Sequence, residues 1–347
     1  MRFRVVCSAM MMCSALSGGA FAQSSPLTTT EAMIPSSDPG IKLYVRNKRV
    51  ESMTSFSPDK TLLFIHGATY PAETSFDLPI DGVSMMDLFA QNGFDVYLVD
   101  VRSYGRSTRP PEMDQPPDAN KPIATSEEAG ADLGAAVDYI LAQRGIPKLD
   151  LLGWSWGTSI AGAYTASHND KINRLVLYAP AWVTQPPVEP STKMIPAYRL
   201  VAKDSAHARW LRGVPEDKQA SLIPPGVFDR WWDATLATDP VGSKMEPPLL
   251  RAASGVTAEF TNYWGAGKPF YDPGQITVPT LLIHAEWDAD LPSTMAETYF
   301  TKLTNAPYKR FVELGEGTHA VMLEKNRMQF FHEILGFLDE SDATALR

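Results

Sequence analysis

The chain has almost no cysteine: there are two in 347 residues, Cys7 and Cys13. Both fall in the opening stretch MRFRVVCSAMMMCSALSGGAFAQSS, where Arg2 and Arg4 precede an apolar run from Val5 to Leu16, followed by Gly18, Gly19 and the triplet Ala20-Phe21-Ala22. This pattern reads as a secretory signal, residues 1–22, cleaved after Ala22 and directing the protein to a periplasm or the medium. The apolar run is shorter than the roughly 18 to 20 residues a membrane-spanning helix needs. No lipoprotein-type run precedes either cysteine. A mature chain from Gln23 would contain no cysteine at all, which excludes disulfides, thiol catalysis and cysteine-ligated zinc, even in a compartment that permits disulfides.

Basic residues are also in deficit. Lysine and arginine number 31 against 40 aspartates and glutamates, a net charge of -9, and loss of the signal arginines would leave the chain more acidic. Such a surface argues against nucleic acid and anionic membrane as partners, and no membrane insertion is expected after signal cleavage. The G-x-x-x-x-G-K-[ST] phosphate loop, the H-E-x-x-H zinc helix and a G-x-G-x-x-G following a strand are all missing, so no metal or other cofactor is expected. No internal repeat or long charge run is present.

What is present is an alternation. Apolar runs TLLFIHG, FDVYLVDVR, KLDLLGWS, INRLVLYAP, PTLLIHAEWD and KRFVELGEGTH are separated by longer segments of helical period, the signature of a mostly parallel sheet covered on both faces. The fold class is α/β. Thr125 with Glu128 fits a capping box and Gly145 a helix stop, which places one crossover helix between the second and third runs. IKLYVRNKRV with SMTSF is expected to form a leading antiparallel hairpin. Residues 181–277 interrupt the alternation and carry five of the eight tryptophans (Trp182, Trp210, Trp231, Trp232, Trp264) with charges of both signs. Strand-like runs are not evident there, and the stretch reads as a helical cap inserted into a core of residues 23–180 and 278–347.

LDLLGWSWGTSIAGAY carries the clearest chemistry. A strand runs into Gly153-x-Ser155-x-Gly157 and then into helix-compatible small residues. A serine on that tight turn takes a strained backbone conformation that aims its hydroxyl away from the sheet, and glycines two residues either side remove colliding side chains. The backbone N–H of Trp156, directly after the serine, is placed to donate to an oxyanion. A serine hydroxyl needs a base, and the base needs an acid to orient it.

The motif, with strand before and helix after, resembles the α/β-hydrolase superfamily across essentially the whole mature chain, in its serine esterase, lipase and proline iminopeptidase-like branch. The resemblance implies a doubly covered, mostly parallel sheet with an inserted cap, and a triad in the order Ser, Asp, His. It points to Ser155 as nucleophile and to His319, in the loop GEGTHAVML after the last run, as base. Asp288 in HAEWDADLP matches the family's D-x-x-x-P with Pro292, with Asp290 as a rival. It also implies that the N–H of Ala68, after His66-Gly67, is the second oxyanion donor. DVRSYGRSTRP is similar to the family's D-x-R-G-x-G-x-S turn, and Asp100, Arg102, Gly105 and Ser107 are read as scaffold. His66, His168, His207, His284 and His332 are read as structural.

These expectations amount to an exported serine hydrolase acting on a small-molecule carboxylic ester, with lactone and amide as variants. Thr69, Tyr70 and Trp182 are candidate substrate contacts. G-W-S-W-G also resembles the G-G-S-W-G of proline iminopeptidases, although H-G-A-T stands where that group has H-G-G-P-G. A non-catalytic binding protein on the same fold is the alternative from outside enzymology.

Overall fold

The structure is a computed structural model that describes residues 25–189 and 193–340. The expected signal, residues 1–22, and both cysteines lie outside the described residues. The first two strands are β1 (Leu27–Pro35) and β2 (Lys42–Val50). They are followed by β3 (Thr61–Ile65), helices α1 (Ala72–Phe76) and α2 (Met85–Gln91), β4 (Asp95–Asp100), α3 (Ser126–Arg144), β5 (Leu149–Trp154), α4 (Trp156–Ser167) and β6 (Ile172–Tyr178). The inserted segment holds β7 (Tyr198–Val201), α5 (Lys203–Trp210), α6 (Glu216–Leu222), α7 (Val227–Ala237), β8 (Leu250–Ala253) and α8 (Gly255–Asn262). The chain then returns through β9 (Thr280–Ala285), α9 (Ser293–Lys302), β10 (Lys309–Leu314) and α10 (Arg327–Asp339).

Eight strands form one sheet in the order β1-β2-β4-β3-β5-β6-β9-β10. Pairing is antiparallel at β1/β2 and β2/β4 and parallel elsewhere. Strands β3, β4, β5 and β9 are buried at every residue. That is why they are rich in Leu, Ile, Val and Phe: helices cover both faces, leaving no solvent side to alternate toward. The crossover helix α3 begins at a capping box formed by Thr125 and Glu128 and ends at Gly145 with φ 66°.

Two expectations need correction. The leading hairpin pairs β2 with the upstream LTTTEAMIP, and SMTSF is not a strand. The Thr-rich β1 is an edge strand with much of its length exposed, so it shows no apolar pattern, and only its β-branched threonines fit a strand. The cap is also not purely helical, because β7 and β8 pair antiparallel in a small separate sheet. Four-residue strands paired only with each other leave little periodicity to read.

The cap tryptophans mostly bind cap to core. Trp231 meets Trp210 at 4.9 Å and the core-loop residue Tyr70 at 4.5 Å between ring centroids, both edge-on, and the Thr235 hydroxyl donates to Thr74 Oγ1 at 2.9 Å. Among the described residues no helix is long and apolar enough to cross a membrane.

Close backbone approach fixes the centre of the sheet. A Cβ added at Gly157 would lie 2.5 Å from the His66 carbonyl oxygen and 2.9 Å from that of Ile65, backbone atoms that cannot rotate aside. Gly157→Ala should therefore lower the free energy of unfolding in urea by about 1–3 kcal/mol, the usual range for an overpacked core. Gly336→Ala, at an exposed mid-helix site with nothing within 4 Å, should instead raise it by up to about 1 kcal/mol.

Candidate active site

Ser155 sits where β5 turns into α4, with φ 57° and ψ -126°. A non-glycine residue in that region is strained, and such strain persists only where the surroundings over-determine it. Here they do. The Ser155 N–H donates to the Tyr178 carbonyl at 2.9 Å, the Thr158 hydroxyl donates to the Ser155 carbonyl at 2.5 Å, and a Cβ at Gly153 would strike the Gly157 carbonyl. Ser155 is only 9% exposed.

The loop after β3 closes over this turn. A Cβ on Gly67 would lie 2.7 Å from the Ser155 Cβ and 3.3 Å from its Oγ, so the loop approaches the serine only because position 67 is glycine. His66 anchors the loop from beneath: its Nδ1 lies 2.6 Å from the Gly67 carbonyl and its Nε2 accepts the Val101 N–H at 3.2 Å. That pairing requires the proton on Nδ1. Burial pushes the His66 imidazole down to about 4, so it stays neutral, a structural group as the sequence suggests.

His319 and Asp288 come from two neighbouring loops, after β10 and β9. His319 Nδ1 lies 2.7 Å from Asp288 Oδ2. The other oxygen, Oδ1, accepts the N–H groups of Asp290 and Leu291 at 2.8 and 3.1 Å, so the carboxylate is held from both sides. Asp290 is occupied elsewhere, with Arg209 Nε donating to its Oδ2 at 2.7 Å and Arg212 in contact with Oδ1. The structure thus brings Asp288, not Asp290, to the histidine. Trp154, the residue before Ser155, donates its indole N–H to the His319 carbonyl at 2.8 Å, with the two rings 5.4 Å apart.

Two spaces open here. A cavity of about 40 Å³ is lined by His319, Trp154, Tyr70 and Ala68, and one of about 280 Å³ by Ser155, Trp156 and Ala68, with Arg209 and Asp290 bordering both. Among the described residues the backbone N–H groups of Ala68 and Trp156 have no acceptor, which leaves them available to an oxygen placed beside Ser155. Thr69, with φ 85°, is buried and accepts from Arg199 Nη2 at 2.6 Å.

Trp182 and Thr69 line neither of these two spaces, and Trp182 packs edge-on against Tyr299 and Tyr271, at 5.0 and 5.8 Å. An aromatic in a cap sequence carries no mark of which way it faces. The D-x-R-S-x-G-x-S turn is scaffold: Asp100 accepts the N–H groups of Ala72 and Arg106, Ser107 donates to the Asp100 carbonyl at 2.5 Å, and Arg102 pairs with Asp132 at 2.7 Å.

Two buried carboxylates were missed from sequence. Glu324 accepts the Thr318 N–H at 3.0 Å and the Trp210 indole N–H at 2.8 Å, joining the His319 loop to the cap. Glu259, on α8, accepts the indole N–H of Trp156 at 2.9 Å and the Ser126 hydroxyl. Two carboxylates, each facing an indole N–H across the cap boundary, have no local sequence signature.

Burial pushes the Glu259 carboxyl up to about 7, although hydrogen bonds to it pull the other way. A carboxyl that holds its proton longer when folded makes the unfolded state the weaker proton binder, so this group's contribution is full below its ordinary value near 4.5 and is lost as pH rises to about 7. Glu259→Gln should flatten the fall in thermal midpoint between pH 5 and pH 8, measured by circular dichroism; an unchanged slope would remove Glu259 as its source.

Comparisons with known proteins agree with this architecture. A family model described as alpha/beta hydrolase fold matches residues 60–227. No curated protein sequence matched the chain. Among solved structures, the esterase EaEST from Exiguobacterium antarcticum is 18% identical with a TM-score of 0.56, covering 90% of this chain and 100% of its own. Est816, described as an N-acyl homoserine lactone degrading enzyme, is 16% identical with a TM-score of 0.58 over 88% of this chain and 100% of its own. The enol-lactonase from Burkholderia xenovorans LB400 is 16% identical, with a TM-score of 0.56 over 90% and 100% of the two chains. At these identities the likeness is one of fold. The strand order, the strained serine turn and the family match together show that the chain has the α/β-hydrolase fold.

Proposed function

We propose that the protein is an exported serine hydrolase that cleaves a carboxylic ester, or a lactone or amide by the same route, through an acyl-enzyme. The observation that carries the reading is the 2.7 Å contact between His319 Nδ1 and Asp288 Oδ2, in a chain that also holds Ser155 at positive φ. Asp288 keeps the imidazole proton on Nδ1, which leaves Nε2 free to act as base.

In this reading His319 takes the Ser155 hydroxyl proton as Oγ attacks the substrate carbonyl. The oxyanion of the tetrahedral intermediate is received by the N–H groups of Ala68 and Trp156, where each such donor is worth roughly 3 kcal/mol in the transition state. Collapse breaks the bond to the alcohol, which leaves with the proton from His319. Water, deprotonated by the same ring, then attacks the acyl-serine; the acid departs and Ser155 regains its proton. The fold-level likeness to esterases and lactone-degrading enzymes supports an ester or lactone as the acyl donor. The opening arginines, apolar run and small-residue triplet support export.

p-Nitrophenyl butyrate turnover tests the assignment. The full chain should release p-nitrophenolate, Ser155→Ala should abolish release without changing the circular dichroism spectrum, and Asp288→Asn should lower kcat by roughly 10⁴-fold. Hydrolysis that survives Ser155→Ala would refute it.

A further inference from the structure

The cavity beside Ser155 has an unusual charge balance. Three of its lining residues are the arginines Arg199, Arg209 and Arg212, and Asp290 is its one lining acid, in a chain whose net charge is -9. Asp290 is shared by Arg209 and Arg212, and the Arg212 side chain is 55% exposed, so water solvates much of its charge. Arg199 differs from both. It rises from β7 of the cap, its Nη2 donates to the neutral Thr69 hydroxyl at 2.6 Å, and its buried Nε has no partner. No carboxylate lies within ion-pair distance of it among the described residues, and desolvation holds its guanidinium below the ordinary arginine value, with Arg209 acting in the same direction.

A desolvated cation without a counter-ion is costly, and truly unpaired ones are rare in protein interiors. Where the surroundings supply no acid, a ligand can. Arg199 is bonded to Thr69, the neighbour of Ala68, so its charge lies one residue along the loop from the N–H assigned to the oxyanion. The same cavity has an apolar wall of Val256, Phe260 and Trp264, and its volume of about 280 Å³ suits a small molecule.

We propose that the substrate is a small ester or lactone that carries a free carboxylate, and that Arg199 is the residue that pairs with that carboxylate. This rests on the serine-hydrolase reading of the site and names its substrate class. One uncompensated guanidinium matches one negative charge, and its planar fork fits a carboxylate with two parallel hydrogen bonds.

The test measures binding without turnover. Full-length Ser155→Ala protein is titrated calorimetrically with monoethyl glutarate, which carries one carboxylate, and with neutral diethyl glutarate. The half-ester should bind about tenfold more tightly or better, as a charge-assisted hydrogen bond warrants. Adding Arg199→Gln should erase the preference, and Arg199→Lys should restore part of it. Equal affinity for the two esters, no half-ester binding at millimolar concentration, or a preference that survives Arg199→Gln would each overturn the proposal. The comparison of the two ligands decides the matter even if the arginine variants fail to fold. In the protein with Ser155 intact, a residue that served only the oxyanion would lower hydrolysis of both diester and half-ester equally when replaced, which would also count against the proposal. Failure of the serine-hydrolase reading shows separately, as hydrolysis that does not depend on Ser155, because binding to Ser155→Ala needs no chemistry.

Discussion

The site depends on one backbone constraint: Ser155 must sit at positive φ on a turn that has no room for side chains two residues to either side. Gly153 and Gly157 let β5, the turn and α4 close on each other and on the end of β3, and Gly67 lets the next loop reach the serine. Strain at the serine is held by packing and hydrogen bonds that belong to the centre of the sheet, where strands are buried on both faces. Ser155 is therefore held rigidly by the buried centre of the sheet. The histidine and its acid arrive from loops after the neighbouring strands β9 and β10, at the same end of the sheet.

The cap is tied to this centre by polar contacts as well as by aromatic packing. Glu259 accepts from Trp156, the residue after Ser155, and Glu324 joins the His319 loop to Trp210. Both carboxylates are displaced above their ordinary range by burial. Each sits between cap and core, one beside Trp156 and the other beside the His319 loop, so the cap's position and the orientation of both are set together. Arg199 and Thr69 make a third such link, on the loop that carries Ala68.

Much of this was legible in the sequence, for physical reasons. Strands buried on both faces must be mostly apolar, so the runs in TLLFI, DVYLVD and TLLIHA declare themselves. A serine at positive φ needs glycines around it, so G-W-S-W-G does too. Asp288 was distinguishable from Asp290 only by the D-x-x-x-P resemblance, because two acids two residues apart in a loop look alike until their partners are known; the structure gives Asp290 to arginines and Asp288 to His319. What was not legible depends on contacts far apart in the chain. Trp182 and Trp231 look the same as letters, yet one packs on Tyr299 and the other borders the small cavity. An arginine in a mixed-charge cap reads as solvated surface, and nothing local marks Arg199 as reaching Thr69 from 130 residues away.

The central claim is that Ser155 is an activated nucleophile. Treating the protein with a small fluorophosphonate, then measuring intact mass and sequencing the modified peptide, tests it without knowledge of the substrate. One adduct per chain is expected, located on Ser155. A protein that stays unmodified, or is modified at another serine, would contradict it.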